Sequence, residues 1–144
     1  MTDNATRMLV FRLGTERFAL PLAAVDEVVE MPEVQPLPDA SNTVLGIATL
    51  RGELVSIYDP RSLLHAGDSN YGATLLFSTG KRRVGIAIDD VFDPILIEAD
   101  AVRSAPGMDA SDGMLQGVVR RGPELISVLD ATALLRALSG EQSQ

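Results

Sequence analysis

An internal repeat constrains this chain more than any other feature. Gly46–Leu64, GIATLRGELVSIYDPRSLL, returns 71 positions later as Gly117–Leu135, GVVRRGPELISVLDATALL. Glu53-Leu54 matches Glu124-Leu125, Ser56 matches Ser127, Asp59 matches Asp130, and both copies close on Leu-Leu. Further upstream, Leu9–Val25 matches Leu75–Val91 at an offset of 66, pairing Phe11 with Phe77, Gly14 with Gly80, Arg17 with Arg83 and Val25 with Val91. The offset then grows by five. The stretch Ser104–Met114, SAPGMDASDGM, supplies the turn formers expected of such an insertion.

Each copy has the same order of elements. Leu9–Leu13 and Phe18–Leu22 flank a Gly14 turn, and Leu75–Phe77 and Val84–Ile88 flank a Gly80 turn, which predicts two hairpins. Pro21 marks an edge or an end of its strand. Ile47–Leu50 and Leu54–Tyr58 bracket Arg51-Gly52-Glu53, and Gly117–Arg120 and Leu125–Leu129 bracket the matching turn. Short strands with frequent turns, written twice, predict two small β-barrels rather than one parallel sheet. Leu22–Val29 and Ile88–Val91 read as short helices. Asp59-Pro60 reads as a helix N-cap with proline at the first position, and Asp130 opens a longer helix. The predicted domain runs from 8 to 138, with halves of about 8–65 and 73–138 and intertwining of the two left open. His65–Gly72 joins them, and 139–144 is a polar, frayed tail.

Composition narrows the function classes. At 144 residues the chain suits one compact domain, and with 46% hydrophobic but only 4% aromatic residues its core must rest on Leu, Val, Ile and Ala. No apolar run approaches a membrane span and Met1–Arg7 has no secretory core, so a cytoplasmic protein without direct membrane insertion is expected. The absence of cysteine removes disulfides, thiol catalysis and thiolate metal sites. A formal charge of −8 argues against nucleic acid as a partner. The basic clusters Lys81-Arg82-Arg83 and Arg120-Arg121 have no interleaved aromatics to stack on bases.

Catalytic readings fare poorly. His65, the sole histidine, sits in a Gly/Asp/Ser-rich stretch without a nucleophile elbow and reads as a solvated loop histidine or a cation at a helix C-terminus. One histidine and no cysteine leave no metal site, and Asp89-Asp90-x-x-Asp93 lacks the glycine and alternating oxygens of a calcium loop. The paired Asp59 and Asp130 invite comparison with a two-carboxylate protease dyad. Their followers are Pro-Arg and Ala-Thr rather than the Thr-Gly or Ser-Gly of those enzymes, and helix capping explains both. No phosphate-binding glycine loop occurs. The expectation is no catalytic residue, no metal and no cofactor, in a duplicated module that works by offering surfaces.

At this point VLGIATLRGELVSIYDPRSLL resembles the central signature of the CheW-like domain family, G-hydrophobic-x-x-LRG followed by alternating hydrophobics and Asp. GIAIDDV, Gly85–Val91, is similar to its later motif, and LVFRLGTERFALPLAAVDEVVEM to its N-terminal one. The resemblance covers roughly Met8 to Leu138. Thr49, Ser56 and Pro60 depart from the family's frequent Asn, Pro and Leu. The resemblance implies an all-β fold with short helices: two SH3-like five-stranded barrels sharing a hydrophobic core. It implies a non-enzymatic adaptor between the cytoplasmic tip of methyl-accepting chemoreceptors and the regulatory domain of the histidine kinase CheA. Such an adaptor is recruited to receptor arrays, with ring-forming contacts to itself or to the kinase domain as a further expectation. Pilus-based motility and other receptor–kinase systems are alternative settings. The family's partner groove lies between the barrels, and motif position places its lining here on Val25, Glu27, Val28, Gly46, Gly85 and Val91, with Arg51 and Gly52 at the LRG turn.

Where the repeat breaks is informative. Matched residues such as Leu54 and Leu125 are expected to serve folding, because both barrels need them. Ungapped, Arg51-Gly52 stands over Gly122-Pro123, so the fold would not require Arg51; a one-residue shift would instead set Arg121-Gly122 over it. Arg51 is therefore a candidate partner or inter-barrel contact, with a turn-fixing pair to Glu53 or another carboxylate as the alternative. A different class of reading is a barrel that binds a small anion through Arg82, Arg83 and Arg120, and a third is a hydrolase built on Asp59 and Asp130.

Overall fold

A computed structural model of the chain describes residues 4–38, 42–68, 70–104 and 113–139. Eleven strands and two helices are formed among the described residues, in the order β1 (Ala5–Leu13), β2 (Glu16–Pro21), β3 (Glu27–Glu30), β4 (Val44–Leu50), β5 (Glu53–Tyr58), α1 (Arg61–Leu64), β6 (Ala73–Thr79), β7 (Arg82–Ile88), β8 (Asp90–Val91), β9 (Ile95–Glu98), β10 (Leu115–Arg121), β11 (Glu124–Leu129) and α2 (Ala131–Ser139). They make two sheets, β10-β11-β2-β1-β8 with β9 also on β1, and β3-β6-β7-β5-β4. The first sheet has six strands rather than five because its last strand is interrupted. β8 pairs with the Phe11 end of β1 and β9 with the Ala5 end. Pro94, which has no N–H to give a ladder, stands in the break.

Each sheet takes a hairpin from one repeat and its remaining strands from the other. β1-β2 sits with β8–β11, while β6-β7 sits with β3–β5. The two exchanges are alike to the residue. β11 runs parallel to β2 with Ser127 opposite Phe18, and β5 runs parallel to β7 with Ser56 opposite Val84, the repeat-equivalent pair. Ile95 opposite Met8 likewise corresponds to Val29 opposite Thr74.

Three cores follow from this arrangement. Met8, Val10, Ala19, Ile97, Val119, Ile126 and Val128 fill the first barrel, and Ala48, Val55, Ile57, Leu76 and Ala87 fill the second. Between the sheets lies the largest cluster, including Leu9, Phe11, Leu13, Phe18, Leu20, Leu75, Phe77, Ile86 and Ile88, capped by Leu134 and Leu138 of α2. The run Met8-Leu9-Val10-Phe11 is continuously apolar because β1 is buried on both faces, alternate side chains entering different cores. The rings of Phe11 and Phe18 stack at 5.7 Å across the hairpin.

The turns resolve the alignment. Leu50 pairs with Glu53 and Arg121 with Glu124, so both loops have two residues and the ungapped alignment is correct. The shifted alternative is overturned. Arg51 (φ 51°) and Gly52 (φ 83°) are both left-handed, as a type I′ turn demands. Gly122 (φ 58°) precedes Pro123, whose ring holds φ near about −65°, the type II′ pattern.

Several expectations need correction. Only Leu22–Ala24 of the first predicted helix is helical, a single 3-10 turn, and Glu27 and Val28 lie in β3. In place of the second predicted helix, Ile88 ends β7, Asp89 is a bend and Asp90–Val91 form β8. Leu54 and Leu125 are not core residues: they are 71% and 57% exposed. They lie one step beyond two-residue turns, on strands whose inward positions are taken by Val55 and Ile126. The predicted frayed tail, apart from Ser139 at the end of α2, and residues 105–112 of the insertion fall outside the described residues.

Candidate functional site

Asp130 caps α2 as the sequence suggests, whereas α1 starts one residue later than expected, with Pro60 rather than Asp59 in the N-cap position. Asp130 Oδ1 accepts the Ala133 N–H at 2.8 Å at the start of α2. Asp59 Oδ1 accepts the Arg61 N–H at 3.0 Å, and Asp59 also receives the Arg61 guanidinium at 2.8 Å and the Tyr71 hydroxyl. Burial pushes the Asp59 carboxyl up, but the hydrogen bonds from Arg61 and Tyr71 outweigh it and hold the pKa below its ordinary value. Burial, and then the bond to Asp59, push the Tyr71 phenol well above its own. Both aspartates are thus engaged at helix starts, and Asp59 ties α1 to the segment joining the repeats. His65 is the left-handed residue that ends α1 (φ 56°).

The residues singled out by motif divide into three groups. Glu27, Arg51 and Gly52 come together. β3 and β4 are the two edges of the second sheet, and the barrel curls until their ends face each other. There Arg51 Nη2 donates to Glu27 Oε2, while Arg83 Nη2 donates to Glu27 Oε1 at 3.2 Å. Arg83 also lies 3.9 Å from Glu53. The hydrogen bond from Arg51, then that from Arg83, lowers the Glu27 pKa. Arg51 itself is 65% exposed, so the pair stands at the surface rather than inside the barrel. Of the carboxylates open to such a pair, Arg51 takes Glu27 on the facing strand rather than Glu53 in its own turn.

The repeat separates what folding uses from what it does not. Arg17 pairs with Glu124 in the first barrel, as Arg83 approaches Glu53 in the second, so this bridge between parallel strands is duplicated. Arg51 is the added member, and Gly122 occupies its place in the other barrel.

Val25 and Val91 form a second group. Both are half-buried against the shared core, with Val91 opposite Phe11 on β1. They stand on the rim of the seam. Beneath that rim the facing sides of the two sheets pack on the shared cluster. Val28 remains 39% exposed.

Gly46 and Gly85 form the third group, and packing explains both. A Cβ on Gly46 would lie 2.1 Å from the Gln35 carbonyl oxygen, where Gln35 and Ile47 bridge. Its repeat partner Gly117 would collide with Val102 at 2.4 Å beside the equivalent Arg103–Val118 bridge. Gly85 is buried, and a Cβ there would meet Thr74 and Ile57 at 2.7 and 2.8 Å.

The anion-binding set does not converge. Arg83 is taken up by Glu27 and Glu53, and Arg120 lines a cleft with Arg103 and Leu125 in the first barrel, away from Arg82. Sequence reasoning missed Arg83 as a member of the Arg51 site. Its repeat match to Arg17, with Glu53 and Glu124 also matched, was the available signal.

The family model for the CheW-like domain matches residues 7–139. A chemotaxis protein CheW of Treponema pallidum is 29% identical, covering 90% of this chain and 82% of that protein. Protein FrzA of Myxococcus xanthus is 32% identical, covering 88% and 82%. The crystal structure of the scaffolding protein TtCheW from Thermoanaerobacter tengcongensis superposes with a TM-score of 0.74 at 19% identity, over 87% of this chain and 88% of that one, a likeness of fold.

Proposed function

The chain belongs to the CheW-like domain family, and from that premise we propose that it is a non-enzymatic adaptor coupling methyl-accepting chemoreceptors to the histidine kinase CheA. The observation that carries the reading is the family match over residues 7–139, which takes in both barrels and α2. The relatives named as CheW proteins supply the chemotaxis setting. A cytoplasmic address, with recruitment to membrane-associated receptor arrays, belongs to the same proposal. Among the described residues no helix is long and apolar enough to cross a membrane.

An adaptor must present surfaces in fixed relation, and the three cores do this by making both sheets one packed body. On that body the proposed receptor contacts are Val28, Glu27, Arg51 and Gly52 at the barrel edge, with Val25 and Val91 at the rim of the seam. Gly46 and Gly85 shape the second barrel from within. Glu27 positions the Arg51 guanidinium at an exposed turn, where it can meet a partner carboxylate without first being ordered.

The test is a pull-down with a receptor cytoplasmic fragment and with the kinase regulatory domain, comparing wild type, Arg51→Ala and Val28→Asp. Val28 is exposed enough to bear the charge, whereas Val25 packs on the shared core. Retention of both partners by wild type and loss of receptor by the variants supports the reading; no retention by wild type defeats it. A second reading keeps the role but moves it to pilus-based motility or another receptor–kinase pathway. What supports keeping it is that one relative, protein FrzA of Myxococcus xanthus, is not named as a CheW protein.

A further inference from the structure

A cleft of about 290 Å³ opens between the tip of the β6-β7 hairpin and helix α2, away from the Arg51 edge. Its walls carry Arg82 from the hairpin and Arg136 from the helix. Thr132, Leu135 and Arg136 project into it from successive turns of α2, at the spacing that puts residues on one helix face. Tyr58 and Val84 give it an apolar side continuous with the shared core.

The two arginines differ from the others near the second barrel. Arg51 and Arg83 are neutralised by Glu27, and Arg61 by Asp59. No carboxylate among the described residues pairs with Arg82 or Arg136, and none lines the cleft. Asp26 accepts the hydroxyl of Ser78 on the cleft wall, and Glu53 lines the adjoining cleft on the other side of Arg82, beside Arg83. A protein with a net charge of −8 therefore keeps two uncompensated guanidiniums facing one opening. The net negative charge of the protein disfavours an anionic partner, and the two guanidiniums make this opening locally favourable.

We propose that this cleft docks an acidic peptide segment of a partner protein, its carboxylates held by Arg82 and Arg136 and its apolar side chains resting on Leu135 and Val84. Guanidinium forks accept carboxylates through paired N–H···O bonds, which makes two of them a directional clamp. The cleft is open, and its volume is at the small end for a site that swallows a whole small molecule, which favours inserted side chains over a free metabolite. This contact is separate from the Arg51 edge and does not depend on receptor coupling.

The test uses the full-length protein and a blocked synthetic helical peptide carrying glutamates at positions i and i+4 with leucines between them. Backbone amide shifts are followed during titration at low salt. Expected are shifts confined to Tyr58 and residues 78–84 and 132–139, an affinity that falls as salt rises, and a weakening of about ten-fold or more in Arg82→Glu/Arg136→Glu. Both arginines are exposed, so the double variant should fold, and an unchanged unfolding midpoint checks this. Inorganic phosphate is titrated in parallel. Shifts as strong with phosphate as with peptide, no shifts with peptide, or equal peptide binding by the double variant would overturn the proposal. Because neither receptor nor kinase is present, its failure leaves the adaptor reading standing, and failure of the pull-down leaves this one standing.

Discussion

Arg51 shows what a single residue reveals when its repeat partner is absent. It takes a left-handed backbone without being glycine, and its side chain ties the barrel's two edges together through Glu27. Backbone and side chain therefore pull stability in opposite directions. Arg51→Ala loses the ion pair and keeps the unfavourable φ, while Arg51→Gly loses the pair and relieves the backbone. Thermal unfolding should place Arg51→Gly above Arg51→Ala, although both present the same lack of charge to a partner. If the two melt alike, the left-handed turn is not what the sequence has to accommodate there. Asp59 supplies a prediction in pH. Its folded pKa is depressed, so its contribution is fully present above the ordinary carboxylate value of about 4 and is lost as pH falls through the lower folded value. The gap in unfolding midpoint between wild type and Asp59→Asn should be widest near neutrality and close progressively below about pH 4.

At the scale of elements, matched positions turn out to mean two different things. Gly46 and Gly117 match because each lets a connecting segment approach a strand closely. Gly46→Ala drives a methyl into the Gln35 carbonyl, whereas Gly85→Ala meets side-chain methyls, of Thr74, Ile57 and Leu76. Overpacking should cost Gly85→Ala about 1–3 kcal/mol in denaturant unfolding, and Gly46→Ala more, because backbone cannot swing aside. Leu54 and Leu125 match for another reason. Exposed as they are, Leu54→Ser and Leu125→Ser should each shift stability by no more than about 0.5 kcal/mol, and a larger loss would return them to the core. The hairpins and caps were legible because turn chemistry and capping are local. β3 was not: Val25, Val28 and Val29 have helical spacing, and it is pairing with β6 that makes the segment a strand. The site was legible only in part, since Glu27 and Arg51 are brought together by barrel closure across 24 residues of chain.

At the scale of the whole molecule, the repeat told how many units to expect but not which strands build each. An offset pairs equivalent residues and says nothing of whether a hairpin packs with its own half. Here both hairpins cross over, β2 against β11 and β7 against β5. This makes the repeats mutually dependent. Residues 1–68 alone hold the first sheet's central hairpin without β8–β11, and they hold β3, β4 and β5 without the two strands that join them. Neither sheet can close in one fragment, and the shared cluster is divided between them. Fragments 1–68 and 69–144, prepared separately, should therefore lack dispersed amide spectra. Mixed in equal amounts, they should regain native-like dispersion, with an unfolding midpoint that rises with concentration as for any associating pair. The break falls at Ser69, between Asp59's bond to Tyr71 and the end of α1, so the strand ladders stay intact. Intact protein should unfold in one transition followed equally by far-ultraviolet and tyrosine signals, because both barrels share the central cluster. A fragment that folds alone, or two separate transitions in the intact chain, would mean that the exchanged hairpins are decoration on independent barrels rather than the bond between them.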